Sequence, residues 1–166
     1  VDRIHHGFWR YFDAGHRLYE PGNPYEHVIR DYYRALDDEI RRTIEMAGPE
    51  TSVMVVSDHG AKRMEGAICI NEWLQREGYL TLKQRPAERM GMKPDMVDWG
   101  RTKAWGEGGY YCRLFMNVEG REPNGIIPQT DYERVRGEIM QELEALTDET
   151  GRCINTRVFK PEDVYK

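Results

Sequence analysis

The stretch "TSVMVVSDHG", residues 51–60, is an apolar, β-branched run closed by an acid, an imidazole and a glycine. Short runs of this kind read as strands buried on both faces, as in parallel sheets. Residues 51–57 are therefore expected to form such a strand. Open parallel sheets present ligand-binding groups just past the carboxyl ends of their strands. Asp58 and His59 stand at that place. Ser57 sits beside them, but with no base upstream of it, and its expected role is structural.

Working outward, residues 25–47 carry apolar side chains at Val28, Ile29, Tyr32, Tyr33, Leu36, Ile40, Ile44 and Met46. That spacing predicts an amphipathic helix packed on a sheet. Asn23-Pro24 marks its start and Gly48-Pro49 its stop. A helix followed by a buried strand is half of an α/β repeat. Residues 70–83 read as a short helix capped by Gly78 and then a brief strand. Residues 84–100, with Pro86, Pro94, Met90, Met92 and Met96, have no clean period and read as an irregular insert or lid. Residues 102–118 read as two strands joined through 106–109, residues 131–146 as a helix, and residues 153–159 as a strand. The fold class expected is α/β, a mostly parallel sheet flanked by helices.

The chain has 166 residues, 39% hydrophobic and 32% charged, which suits one soluble domain or a large part of one. No apolar run approaches the roughly 20 residues that span a bilayer, and no leader is visible, so no membrane partner is expected. The net charge of −5 argues against a nucleic-acid polymer as partner. Cys69, Cys112 and Cys153 form no C-x-x-C pair and read as buried or unpaired thiols of a reducing compartment, the cytoplasm. A motif begins at once after Val1, so the chain reads as a piece of a longer polypeptide.

That motif is "VDRIHHGFW", residues 1–9. Asp2 and His6 stand in D-x-x-x-H spacing, which puts carboxylate and imidazole on one helical face. With Asp58-His59 this makes two Asp/His pairs far apart in sequence. Oxygen and imidazole donors without thiolate suit zinc, manganese or iron better than calcium. The bland readings are a chance spacing for the first pair and a polar turn for the second. The tryptophans read as core rather than base-stacking platforms. "EGREPNG", residues 119–125, reads as a turn with a surface Arg121–Glu122 ion pair.

The succession "VDRIHHGFW", "VVSDHG", "INEWLQREGYLTLK", "TKAW", "GREPNGII", "LTDETG" resembles the type I phosphodiesterase/nucleotide pyrophosphatase family of the alkaline phosphatase superfamily. The resemblance covers nearly the whole chain and is weakest over 84–100. It implies a single partial catalytic domain over residues 1–166 and two close divalent cations, zinc or alternatively manganese. It also implies a Thr or Ser nucleophile. Asp2 and His6 would serve one cation, Asp58 and His59 the other, and His5 would be a bystander. The family's nucleophile and early Asp precede the D-x-x-x-H motif, and its third His comes near the family's C-terminus. Neither His16 nor His27 is placed to replace that His. The expected function is therefore that of a fragment of a hydrolase of phosphodiester or pyrophosphate bonds, inactive alone, acting on a small-molecule phosphoester such as a nucleotide. The alternatives are another reaction of the superfamily (phosphomonoester hydrolysis, sulfate-ester hydrolysis or phosphoglycerate mutation) and a non-catalytic interaction domain. An unpaired edge at residues 51–57 would favour a symmetric homodimer.

Overall fold

The computed structural model describes residues 1–88 and 90–165. Arg89, inside the stretch 84–100, and Lys166, the last residue of the expected domain, lie outside the described residues. The chain falls into two compact units, Val1–Ile68 and Cys69–Lys166.

In the first unit, α1 (Asp2–Phe12) and α2 (Val28–Ala47) are joined by aromatic packing. His5 stacks on Tyr33 with ring centroids 5.7 Å apart, and its Nε2 lies 3.1 Å from the Tyr33 hydroxyl. Tyr25 meets both Phe8 and Tyr11 edge-on. The start signal of α2 acts as expected: Asn23 Oδ1 accepts the Tyr25 N–H at 2.9 Å, an Asx turn ahead of the helix. Gly48, at φ +85°, ends it.

Two expectations fail in this unit. Residues 51–57 form no strand, and Met54, Val55 and Val56 are 84%, 91% and 78% exposed. A parallel strand is buried only when it has neighbours on its edges and layers on its faces. No described residue pairs with this run. The helix before it consequently has no sheet to cover. Ile29 is its one buried side chain, and Tyr33, Ile40, Ile44 and Met46 remain exposed.

The second unit holds the hydrophobic core, with Leu74, Val97 and Ala104 fully buried. Helix α3 (Ile70–Arg76) contributes Trp73 and Leu74. Gly78, at φ +78°, turns the chain so that Tyr79 and Leu80 follow into the core. The brief strand expected there is a single antiparallel bridge, Leu82 to Val97. Residues 94–96 and 99–101 are 3₁₀ turns, and Val97 between them is buried, so the later part of the 84–100 stretch is core.

The only sheet among the described residues is a two-stranded antiparallel hairpin, β1 (Ala104–Gly108) and β2 (Cys112–Met116). The turn lies at residues 109–111, later than the glycine pattern implied, because Gly106 belongs inside β1 opposite Leu114. The Asn71 side-chain amide accounts for that glycine. Its Nδ2 donates to Gly106 O and its Oδ1 accepts from Gly106 N, both at 2.8 Å. The side chain thus mimics a third strand, and a Cβ at Gly106 would meet Cys112 Sγ at 2.6 Å.

Helix α4 (Tyr132–Glu144) buries Val135, Ile139 and Leu143, one face at i, i+4, i+8. The strand expected over 153–159 reduces to one bridge, Thr147 to Cys153, because Asn155 adopts φ +55° and breaks the pleat. The chain then reaches α5 (Pro161–Val164), tied to α4 by Arg136, which contacts Glu133 at 2.7 Å and Glu162 at 2.6 Å. All three cysteines are exposed and carry no disulfide. No helix among the described residues is long and apolar enough to cross a membrane.

Candidate metal centre

Asp2 and His6 lie one turn apart on α1, as their spacing predicts, with Asp2 Oδ2 3.4 Å from His6 Nε2. Asp2 is in the first turn, where a carboxylate is favoured by the helix dipole. Asp58 and His59 occupy the extended segment that follows α2. Asp58 Oδ2 is 3.6 Å from His59 Nε2. Ser57 Oγ donates to the His59 carbonyl at 2.6 Å, and the His59 N–H donates to Asp58 Oδ1 at 3.1 Å. The hydroxyl is thus engaged in the local turn.

His59 is oriented by a second contact. Its Nδ1 lies 2.9 Å from the Gly60 carbonyl. A carbonyl can only accept, so Nδ1 carries the proton and the Nε2 lone pair is left for a ligand, the arrangement typical of metal-bound histidine.

The two Asp/His separations are those of exposed ion pairs and also leave room for a cation between the donors. At 3.4 and 3.6 Å both are too long for a good N–H···O bond. Bond lengths of about 2.0–2.2 Å to zinc at a tetrahedral angle put two donors about 3.4 Å apart. Donor type and donor spacing therefore fit a divalent cation at each pair. Donor number does not reach that of a catalytic zinc, which takes about three protein ligands. Among the described residues no three His, Cys, Asp or Glu side chains group together.

The proton on His59 is held above the ordinary histidine range, first by the Gly60 carbonyl, then by Asp58, with a smaller effect of Asp2. The carboxylate on α1 thus acts on the imidazole of the second pair. A cation at His59 must displace this proton. Below pH 6.5 the proton is bound whether or not the chain is folded, and the folded chain retains it to higher pH. Cobalt(II) affinity at this pair is accordingly expected to climb with pH through a window lying above 6.5. A pH-independent affinity in a titration between pH 6 and 8 would contradict this.

Of the remaining histidines, His5 and His16 are otherwise employed. His5 packs between Trp9 and Tyr33, and His16 Nδ1 accepts the Leu18 N–H at 3.0 Å. His27 stands at the N-cap of α2. Arg121 and Glu122 form the expected ion pair at 2.8 Å, and both also brace their loop, through Met116 O and Val118 N. Trp99, Trp105 and Phe115 pack on one another. Sequence reasoning passed over Asp13 and Arg63, whose side chains pair at 3.5 Å. The one local signal was Trp9-x-x-x-Asp13, the same helical spacing as Asp2 and His6.

A family model, type I phosphodiesterase/nucleotide pyrophosphatase, matches residues 1–166, the whole chain. No curated protein and no solved structure matches it.

Proposed function

The chain belongs to the type I phosphodiesterase/nucleotide pyrophosphatase family, and from that membership we propose that it supplies part of a two-cation centre for hydrolysis of phosphodiester or pyrophosphate bonds. The whole-chain family match carries the reading. The cation-sized gap in each Asp/His pair supports its metal half.

Asp2 and His6 would hold one cation, and Asp58 with His59 Nε2 the other. Zinc suits these donors, with manganese as the alternative. When bound, such a pair of cations activates a coordinated hydroxyl and neutralises charge on the phosphoryl group. The chain's own residues do the rest of the work assigned here. The Gly60 carbonyl fixes the His59 tautomer, and Ser57 holds the turn that presents Asp58. The nucleophile, a Thr or Ser, comes from residues outside this chain in this reading, as do the further ligands. The substrate is a small-molecule phosphoester, a nucleotide among the candidates, and the compartment is the cytoplasm. Residues 51–57 become a strand of the family's parallel sheet once flanked.

Titration of the chain with cobalt(II) or zinc tests the metal half. Two equivalents are expected, each with a dissociation constant in the micromolar range or weaker, since two donors fall short of about three. His6→Ala should remove one equivalent and Asp58→Asn the other. Nanomolar zinc binding that survives Asp58→Asn would place the ligands elsewhere.

A further inference from the structure

Asp13 closes α1 at its C-terminal end, where a carboxylate faces the negative pole of the helix dipole and is disfavoured. Something must hold it there. Its Oδ2 accepts the Trp9 indole N–H at 3.1 Å and its Oδ1 the Gly15 N–H at 2.9 Å. Arg63 then approaches to 3.5 Å, with both side chains mostly covered, 34% and 25% exposed. The guanidinium passes so close over Gly15 that a Cβ there would collide with it.

Arg63 is singular in its own segment. Of residues 51–68, which include Asp58 and His59, it is the only one not exposed. The segment has no strand partner among the described residues, and its extended backbone makes no ladder. Arg63 is thus the side chain of the segment most covered by the rest of the unit, and the end of α1 is what covers it.

The lengths involved match a positioning role. From Asp13 back to His6 is seven helical steps, about 10 Å at 1.5 Å per residue, and back to Asp2 about 16 Å. From Arg63 back to His59 is four residues, a reach of up to about 14 Å. A chain pinned at Asp13 can thus lay His59 alongside the α1 turn that carries Asp2 and His6. Two cations sharing one phosphate need to sit about 4 Å apart. A segment held only at α2 would leave that distance undefined.

We infer that the Asp13–Arg63 ion pair is the clasp that sets Asp58 and His59 against Asp2 and His6, which makes Arg63 a positioning residue of the two-cation centre. The inference rests on the metal reading above. Arg63 ligates nothing in it. Its second partner, Glu65 at 2.7 Å, lies on the same segment and only steadies the guanidinium.

The test uses the full chain and cobalt(II) alone, followed by visible absorption, with amide hydrogen exchange on the metal-free protein. Arg63→Ala and Asp13→Asn are each expected to weaken cobalt binding about tenfold or more, the effect typical of residues that orient ligands. Exchange of the Gly15 amide, which donates to Asp13 Oδ1 under the Arg63 guanidinium, should speed up while that of α2 is unchanged. Arg63→Lys should recover most of the affinity, and Glu65→Ala should leave it at the wild-type value. Wild-type affinity and exchange in Arg63→Ala would overturn the clasp while leaving the metal reading standing. Absence of cobalt binding by the wild-type chain would overturn both. Should Arg63→Ala disturb α2 as well, the Lys and Asp13→Asn variants decide: equal affinity in those two would overturn the clasp.

Discussion

Replacing Asn117 by leucine is expected to cost the second unit about 3 kcal/mol or more, enough to unfold a marginal domain. Asn117 is 1% exposed, one of two buried polar residues among the described residues. Its Nδ2 donates to Trp99 O at 3.0 Å, Thr102 O at 2.8 Å and Asn124 O at 2.9 Å. An amide has two protons, so one of them is shared between carbonyls. The backbone of the same residue donates to Lys103 O at 2.7 Å and accepts from Ile126 N and Ile127 N, both at 3.0 Å. One side chain thus ties together the 3₁₀ turn at 99–101, the start of β1 and the loop before Ile127. Leucine fills a similar volume but takes the donor from the buried Thr102 O and from Asn124 O, while Trp99 O keeps only the longer Thr102 N–H contact at 3.4 Å; each buried orphan costs about 1–3 kcal/mol. Asn117→Asp keeps the shape and presents oxygen to oxygen, so it should be at least as damaging. The measurement is urea unfolding followed through the tryptophans. A loss under about 1 kcal/mol in both variants would show that the carbonyls find other donors.

What could be read from the sequence was what neighbours in sequence decide. The Asp2–His6 pair needs only one helical turn to meet, and its spacing sufficed. Helices α2 and α4 were legible because each repeats its apolar side chains at helical spacing. The α4 face is buried as the pattern says, whereas the α2 face is not. Periodicity reports the element, and only a partner supplies burial. Residues 51–57 show the same limit more sharply, since a β-branched run becomes a strand only when another strand hydrogen-bonds to it. Residues 153–159 alternate correctly, yet a left-handed Asn155 interrupts them. Within the candidate site, Asp58 and His59 were found from their place after the apolar run. The Asp13–Arg63 contact joins positions with no shared motif, and no local pattern encodes it. Asn117 was silent for the same reason: its three acceptors lie on two segments, 99–102 and 124, with no motif in common.

Replacing His59 by alanine, in a polypeptide that joins this chain to the family's Thr or Ser nucleophile, is expected to lower turnover of a nitrophenyl phosphodiester by about a thousandfold or more. Each tenfold corresponds to about 1.4 kcal/mol of transition-state stabilisation, and loss of one member of a group that acts as a unit commonly costs several such factors. His59 is a candidate for an effect of this size because its Nδ1 is committed to the Gly60 carbonyl, leaving Nε2 for a cation. Alanine removes that donor and would leave Asp58 as the only one the segment offers to a cation. Ser57→Ala is the internal control. Its hydroxyl is spent on the His59 carbonyl, so its loss should loosen the turn and change turnover only a few-fold. Residues 1–166 alone, with zinc or manganese added, should turn over nothing measurable. Robust hydrolysis by residues 1–166 that disappears in His59→Ala would put the nucleophile inside this chain. Unchanged hydrolysis by the longer polypeptide carrying His59→Ala would remove this imidazole from the reaction, because an enzyme that depends on two cations cannot lose a ligand to one of them without loss of rate.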